Sequence, residues 1–326
     1  MRFDVCPKIV GTTLLLVAVS GIAAHSADSQ QPLQTLLVDV DHRPATSLDG
    51  DWHYLVDQYG GGLYTPDGKV KDDGYARNTH PVIVGERSGY MEYDFATAPT
   101  LNVPGDWNTQ DPKLFRYEGV VWYEKDFQWT PSGKPGARTF LHVGAANYRS
   151  HVWVNAKRIC DHEGGYTPFD CEVTAALQPG ANAVTIAVDA TRLQDGVPSV
   201  AIDWLNYGGL TRDVSLVEVP HAFIDDYDLH LKRGTTGDLT GYVHVEGASA
   251  GTTVNVRVPE AGLSATAKTD SEGRAPIEHH ASKLELWSPQ SPKLYKVQLA
   301  SGEDSLGDEI GFRDIHIEGT RIMLNG

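Results

Sequence analysis

Adjacent acidic and histidine pairs are the residues whose types could most directly do chemistry. Asp72-Asp73 and Asp225-Asp226 offer paired carboxylates for acid/base work, and His279-His280 offers two imidazoles to a metal ion. Neighbours on a strand point to opposite faces of a sheet, so neither acidic pair forms a natural dyad. The histidine pair has no carboxylate or cysteine at ligand spacing. We therefore predict solvated acidic turns, exposed histidines, and neither a metal nor another cofactor.

The common catalytic motifs are missing from the sequence. GERSG at residues 85–89 has its serine one place too late for a G-x-S-x-G nucleophile motif. Neither a phosphate-binding loop nor a dinucleotide fingerprint occurs. The sequence gives no support for a serine hydrolase of that type or for a nucleotide-dependent enzyme.

Three stretches mix aromatic residues, glycine and charge more densely than core packing requires. They are VPGDWNTQDPKLFRYEGVVWYEKDF (103–127), GAANYRSHVWVNAKRICDHEGGYTPFDCEVT (144–174) and IDWLNYGGLTRDVSLVEVP (202–220). The third places Asp203 just before a Gly-Gly turn and a strand. From spacing alone, Asp203 is most simply a turn or cap aspartate.

The elements that must position these residues are strands. Apolar residues alternate with smaller or polar ones in the runs 184–189, 254–258 and 295–299. Turn clusters such as PSGKPG and QPGAN separate such runs, a spacing typical of β-sandwiches. Residues 60–90 are rich in Gly, Asp, Lys and Arg and are predicted to form a long surface loop or an insertion.

Length and charge limit the classes of protein. The chain has 326 residues, which suggests about two domains. Its net charge of −16 argues against nucleic acid and anionic membrane surfaces as partners.

The N-terminus has the pattern of a secretory signal peptide. Arg2 and Lys8 precede the run IVGTTLLLVAVSGIAA, which is short for a membrane span and is followed by small residues. We predict a signal peptide over residues 1–26, export to the periplasm or the extracellular space, and no membrane association after cleavage. The alternative is an uncleaved anchor.

Export would place the chain in a compartment that permits disulfides. Cys6 would leave with the signal peptide, so the remaining cysteines, Cys160 and Cys171, could form a disulfide. The alternative is two buried free thiols, since sequence does not fix the distance between the two Cα atoms.

The three dense stretches closely resemble the N-terminal half of family 2 glycoside hydrolases, from about Ser47 to Gly326. VWVNAKRICDHEGGYTPF is similar to the family pattern V-W-V-N-G-x-x-x-G-x-H-x-G-G-Y-x-P-F. DWLNYGGLTRDVSL is similar to D-[FW]-x-N-Y-[AG]-G-[LI]-x-R-x-V-x-L. Two departures are visible: Ala156 replaces a turn glycine and should tighten or shift the Asn155 turn, and Cys160 replaces a later glycine.

The resemblance implies an all-β fold with a defined domain order. A jelly-roll sugar-binding β-sandwich is expected over residues 32–220 and an immunoglobulin-like β-sandwich over 221–313. Residues 314–326 are expected to begin a (β/α)₈ barrel whose remainder is absent from this sequence. In GFRDIHIEGTRIMLNG, residues 315–318 and 321–324 are predicted to be strands around a Gly319-Thr320 turn, the first of them half-buried.

The resemblance also implies where substrate contact lies. The aspartate that opens the second motif reaches the active site and hydrogen-bonds sugar hydroxyls in family members, and it corresponds to Asp203. Asn206 and Tyr207 are expected to hold its loop. No catalytic residue is expected in this chain, because both catalytic glutamates belong to the barrel and no Asn-Glu dipeptide occurs here.

Several other motif residues are expected to be structural. His162 is among them, Gly164 and Gly165 are expected to form a sharp turn, and Tyr166 is expected to plug the sandwich. Core packing is the simpler role for Trp107 and Tyr117, although aromatic rings can also stack on sugars. No glutamate of the chain matches either catalytic motif, and the expected jelly-roll contains Glu118, Glu124, Glu163 and Glu172.

The expected function is that of the non-catalytic half of an exported retaining β-glycosidase. The β-glucuronidase-like branch is favoured and β-galactosidase comes next, with this chain inactive alone. Expected partners are a β-linked glycan or glucuronide and a barrel domain in cis or in trans, with a homo-oligomer as a further expectation. The alternatives are a stand-alone carbohydrate-binding module and one subunit of a split glycosidase.

Overall fold

The structure is a computed structural model that describes residues 36–75 and 94–326. The predicted signal peptide (1–26), the first residues of the predicted 32–220 domain and part of the predicted 60–90 loop lie outside these ranges. Within these described ranges the regular structure is β apart from one helix, α1 (Trp107–Gln110), and short 3₁₀ turns, which confirms the predicted all-β class.

Twelve strands form the first group of sheets. They are β1 (Ala45–Ser47), β2 (Gly50–Asp57), β3 (Thr100–Val103), β4 (Val120–Trp129), β5 (Arg138–Val143), β6 (Ala146–Asn147), β7 (Arg149–Val154), β8 (Lys157–Glu163), β9 (Phe169–Glu172), β10 (Gly180–Asp189), β11 (Gly209–Leu210) and β12 (Val214–Val219). A four-stranded sheet has the order β1-β12-β5-β9 and a six-stranded sheet the order β3-β2-β4-β10-β7-β8. The short pair β11-β6 lies beside them.

The two larger sheets enclose a common apolar core. Inward-facing residues such as Trp52, Tyr123, Leu141, Val152 and Ile186 are fully or almost fully buried in one cluster. Period-two alternation places these side chains on one face of each strand, as a sandwich requires.

The other face of the six-stranded sheet is also covered. Trp122 and Trp153 pack with ring centroids 5.0 Å apart, and Leu63 and Tyr75 from the segment after β2 lie over them. The Trp153 indole N–H donates to the Asp72 carbonyl at 2.6 Å. Most residues of 60–75 are exposed or half-buried, as a surface loop or insertion predicts, but Leu63 is fully buried and covers the sheet.

Seven strands of the described residues form the second group of sheets. They are β13 (Phe223–Leu231), β14 (Asp238–Glu246), β15 (Thr253–Val258), β16 (Leu263–Lys268), β17 (Arg274–His280), β18 (Tyr295–Ser301) and β19 (Asp304–Ile310). They form sheets β13-β14-β17 and β16-β15-β18-β19 around a second core. The alternation predicted for 254–258 and 295–299 is confirmed by the burial patterns of β15 and β18.

Two arginines join the two groups within one compact unit. Arg43 is buried, donates to the Ile224 carbonyl at 2.6 Å and pairs with Asp304 at 3.1 Å. Arg138 on β5 pairs with Glu172 on β9 at 2.7 Å, and its guanidinium lies 5.1 Å from the centre of the Phe223 ring.

The chain ends in a hairpin of β20 (Ile315–Glu318) and β21 (Arg321–Leu324), as predicted. The predicted burial is wrong: Ile315 and Ile317 are exposed, and His316 is the half-buried residue. His316 turns towards Asp314, with which it pairs at 3.0 Å.

Candidate functional site

Asp203 lies on a loop between β10 and β11. Its side chain is exposed and makes no hydrogen bond or ion pair with another residue in the described ranges. Trp204 beside it is 61% exposed. A carboxylate presented in this way is free to accept hydrogen bonds from a polar ligand.

Two buried asparagines hold the end of this loop. Asn206 donates to the Ala190 carbonyl at 2.7 Å and accepts from the side-chain amide of Asn147 at 2.8 Å. The same Asn147 nitrogen donates to the Tyr207 carbonyl at 2.6 Å. The side chain of Asn206 therefore holds the loop through hydrogen bonds. Tyr207 takes part only through its backbone carbonyl, and its side chain is 45% exposed.

Helix α1 packs against the end of this loop at Gly208. The Gly208 N–H donates to the Asn108 side chain at 2.9 Å, and the Trp107 N–H donates to the Gly208 carbonyl at 3.0 Å. A Cβ atom at position 208 would lie 2.0 Å from the Trp107 ring, so only glycine fits there. Trp107 has no exposed surface and is a packing residue, not a platform for a sugar.

Tyr117 is half-buried beside Trp107, with ring centroids 6.1 Å apart. Its hydroxyl donates to the Val120 carbonyl at 3.0 Å. Burial, with help from the nearby charges of Asp57 and Asp189, raises the pKa of Tyr117 to about 12. The hydroxyl therefore stays protonated at neutral pH, and its role here is packing and hydrogen bonding.

Arg192 is a residue of this site that sequence reasoning missed. Its two terminal nitrogens donate to the carbonyls of Ile202 at 3.1 Å and Trp204 at 2.8 Å, the residues on either side of Asp203. It also pairs with Glu118 at 2.8 Å. The motifs contain no signal for these contacts, since Arg192 lies outside them and Glu118 comes from a distant part of the chain.

The turn after β8 packs against Asn147. A Cβ atom at Gly165 would lie 2.4 Å from the side-chain oxygen Oδ1 of Asn147, and Gly164 has a φ of 144°. His162 stacks on Phe169 with centroids 4.3 Å apart, and burial lowers the pKa of His162. The predicted aromatic plug is wrong, because Tyr166 projects outward and is 59% exposed.

A disulfide joins Cys160 on β8 to Cys171 on β9, with the Cα atoms 6.0 Å apart. It links the six-stranded sheet to the four-stranded sheet and closes the loop that carries Gly165. Cys171 is buried in the core, whereas Cys160 is only partly buried.

The departure at Ala156 is accommodated by backbone conformation. Asn155 has φ of 52° and Ala156 has φ of 63°, so both residues of this two-residue hairpin turn are left-handed. The Asn155 side chain holds the turn by donating to the Ala176 carbonyl and the Asn182 side chain, both at 2.8 Å.

The four glutamates named in the sequence analysis have separate surroundings. Glu118 pairs with Arg192, and Glu172 pairs with Arg138. Glu124 is buried within β4 and Glu163 is exposed at the end of β8.

Two further features are absent from the described ranges. Residues 36–75 and 94–326 contain no group of three or more His, Cys, Asp or Glu side chains arranged to hold a metal ion. In the same ranges, no helix has the length and apolar character needed to cross a bilayer.

Comparison with known proteins gives the family. Residues 45–220 match the family model for glycosyl hydrolases family 2, sugar binding domain. Among curated relatives, the beta-glucuronidase of Paenibacillus borealis is 30% identical over 255 residues, which cover 69% of this chain and 42% of the relative. The beta-glucuronidase of Rattus norvegicus is 26% identical over an alignment that covers 100% of this chain and 51% of the relative.

Solved structures agree on the fold. The Bifidobacterium dentium beta-glucuronidase, complexed with coumarin-3-O-glucuronide, superposes with a TM-score of 0.70 at 23% identity over 88% of this chain and 51% of that one. The Lactobacillus rhamnosus beta-glucuronidase gives 0.65 at 26% identity over 90% and 48% of the two chains. The chain thus spans about half the length of the relatives it matches. This chain belongs to glycoside hydrolase family 2.

Proposed function

We propose that this chain is the N-terminal, non-catalytic part of a retaining β-glycosidase that hydrolyses terminal β-O-glycosidic bonds, with β-glucuronides as its substrates. The beta-glucuronidases among its relatives support this choice of sugar over β-galactosides. The single observation that carries the proposal is the carboxylate of Asp203, which is exposed, has no partner among the described residues and lies on a loop that buried asparagines hold in place.

Asp203 is proposed to accept hydrogen bonds from hydroxyl groups of the bound sugar. Charge-assisted hydrogen bonds to a carboxylate are short and about twice as strong as neutral ones. A glucuronide is itself anionic, so the carboxylate of Asp203 must face the ring hydroxyls and not the uronate group. The group that recognises the uronate is therefore proposed to lie in another part of the protein.

The bond-breaking step is proposed to use two carboxyl groups that the rest of the protein supplies. A retaining mechanism needs an acid/base and a nucleophile about 5–5.5 Å apart, on opposite sides of the scissile bond. In a (β/α)₈ barrel such groups lie at the carboxyl ends of the strands. Residues 1–326 alone are proposed to be inactive.

Export is proposed as well. The basic residues before an apolar run at the N-terminus support it, and so does the Cys160–Cys171 disulfide, because disulfides persist in oxidising compartments. Sequencing the N-terminus of the native protein tests this, with cleavage expected near residue 23 or 26.

The test of the proposed function uses the longest open reading frame that contains this chain. The substitutions D203A and D203N should lower kcat/KM for p-nitrophenyl β-D-glucuronide about tenfold to a hundredfold, the value of one or two charge-assisted hydrogen bonds. The matched control is D195N, which changes an exposed aspartate of the same loop and should have no effect. Equal activity of D203A and D195N would contradict the role of Asp203.

A further inference from the structure

The Arg192 side chain hydrogen-bonds to the backbone on both sides of Asp203. One terminal nitrogen of its guanidinium donates to the Ile202 carbonyl and the other to the Trp204 carbonyl, at 3.1 and 2.8 Å. The second nitrogen also pairs with Glu118 at 2.8 Å. Arg192 is largely buried, with 16% of its side chain exposed.

The planar guanidinium suits this task in a way that an ammonium group does not. Its donors lie in a rigid fork, so two carbonyls held by two different nitrogens are fixed relative to each other. The second nitrogen lies 2.8 Å from the Trp204 carbonyl oxygen and 2.8 Å from a Glu118 carboxylate oxygen. A lysine at this position could supply the charge but not the fixed spacing between two acceptors.

Hydrogen bonds also hold the backbone next to Arg192 in place. The Ala190 N–H donates to the Gly119 carbonyl at 3.0 Å, next to Glu118, and the Thr191 N–H donates to the Asp189 side chain at 2.9 Å. The Ala190 carbonyl accepts from Asn206 at 2.7 Å. The loop that Arg192 bridges therefore already has its two ends, Ala190 and Asn206, joined by a hydrogen bond.

Glu118 supplies the counter-charge. It pairs with the arginine, whereas the Asp203 carboxylate pairs with no cation in the described part of the chain. The arginine can thus hold the backbone around Asp203 while the Asp203 carboxylate remains available to a ligand.

We propose that Arg192, neutralised by Glu118, is a positioning residue that fixes the Asp203 carboxylate in the direction of the bound sugar. The inference rests on the proposed function of Asp203 and adds to it the residues that orient the loop. A contact group held in advance loses less entropy when the ligand binds, and a displacement of about 1 Å can cost up to about a hundredfold in rate.

The first experiment measures backbone order in the chain itself. Amide ¹⁵N order parameters for residues 202–205 should be about 0.85 in the wild type and should fall below about 0.6 in R192A. R192K should fall as well, because lysine lacks the fork. The control R233A removes an exposed arginine of the second group of sheets and should leave these values unchanged. Unchanged order in R192A would overturn the inference.

The second experiment is a double-mutant cycle in the longer protein, with p-nitrophenyl β-D-glucuronide as substrate. R192A should lower kcat/KM about tenfold or more when Asp203 is present and less than about twofold when Asp203 is already alanine. An equal loss in both backgrounds would show a merely structural role and overturn the inference. A silent D203A would instead contradict the proposed function, while the order parameters would still report on Arg192.

Discussion

The side-chain amide of Asn147 donates to the side-chain oxygen of Asn206 at 2.8 Å, in the interior of the protein. This bond ties strand β6 to the loop that presents Asp203. The two residues are far apart in sequence, yet their amides also satisfy the Tyr207 and Ala190 carbonyls. The geometry of the candidate site therefore depends on a buried polar network and not only on the loop's own sequence.

Substituting Asn206 by alanine should destabilise the chain by about 1–3 kcal/mol, because the Asn147 amide and the Ala190 carbonyl would lose buried partners. Urea unfolding measures this change. The control N102A alters an exposed asparagine on β3 and should change the free energy of unfolding by less than about 0.5 kcal/mol. Equal values for the two variants would contradict the network's role.

The turn between β7 and β8 predicts a stabilising substitution. Ala156 has a left-handed backbone, which is unfavourable for a residue with a Cβ atom and free of that penalty for glycine. A156G should raise the free energy of unfolding by about 1 kcal/mol. A181G on β10 should have the opposite sign, because Ala181 has no left-handed φ and glycine weakens a strand. A destabilised A156G would show that the turn has another conformation.

Removing the disulfide should be costly. Replacing both Cys160 and Cys171 by alanine should lower the free energy of unfolding by about 3 kcal/mol in the chain-entropy model. Reduction of the wild type should lower it in the same direction, and the reductant should not affect the double variant. Detection of two free thiols in the native protein by mass spectrometry would rule out the bond.

The Arg138–Glu172 pair predicts a pH dependence of stability. Hydrogen bonding and charge from Arg138 hold the pKa of Glu172 below its ordinary value. A carboxyl with a depressed pKa in the folded state contributes stability that is fully present above its unfolded pKa, about 4.3. That contribution is lost as the pH falls through the lower folded-state pKa.

The measurement is urea unfolding of the wild type and E172Q between pH 7 and pH 3. The advantage of the wild type should be constant above about pH 5 and should shrink below about pH 4. The effect should be small, because Glu172 is partly exposed and solvent screens the pair. E278Q, an exposed carboxylate on β17, is the control. An advantage that grows as the pH falls would contradict this assignment.

The local sequence patterns predicted which segments form strands, but they did not predict which strand faces are covered. The alternation in β15 and β18 matches burial because those strands have one solvated face. In β10 both faces are buried, since Leu63 and its neighbours cover the outer face of the sheet. Period-two patterns cannot reveal such a cover, because it comes from a segment without regular structure of its own.

The sequence predicts candidate site residues only where it carries a motif. Asp203 and Asn206 were identified through the D-W-L-N-Y-G-G-L resemblance, and the structure brings them into one loop. Asn147, Arg192 and Glu118 were not recognised as parts of this site, because their roles depend on contacts with distant segments. Tyr166 was predicted to plug the sandwich, but its side chain points outward and is exposed.

The most direct test of the account is the substrate preference of the longest open reading frame that contains this chain. The purified product should hydrolyse p-nitrophenyl β-D-glucuronide with a kcat/KM well above that for p-nitrophenyl β-D-galactoside, and residues 1–326 alone should hydrolyse neither. A preference for the galactoside, no hydrolysis by the longer product, or turnover by residues 1–326 alone would contradict the account.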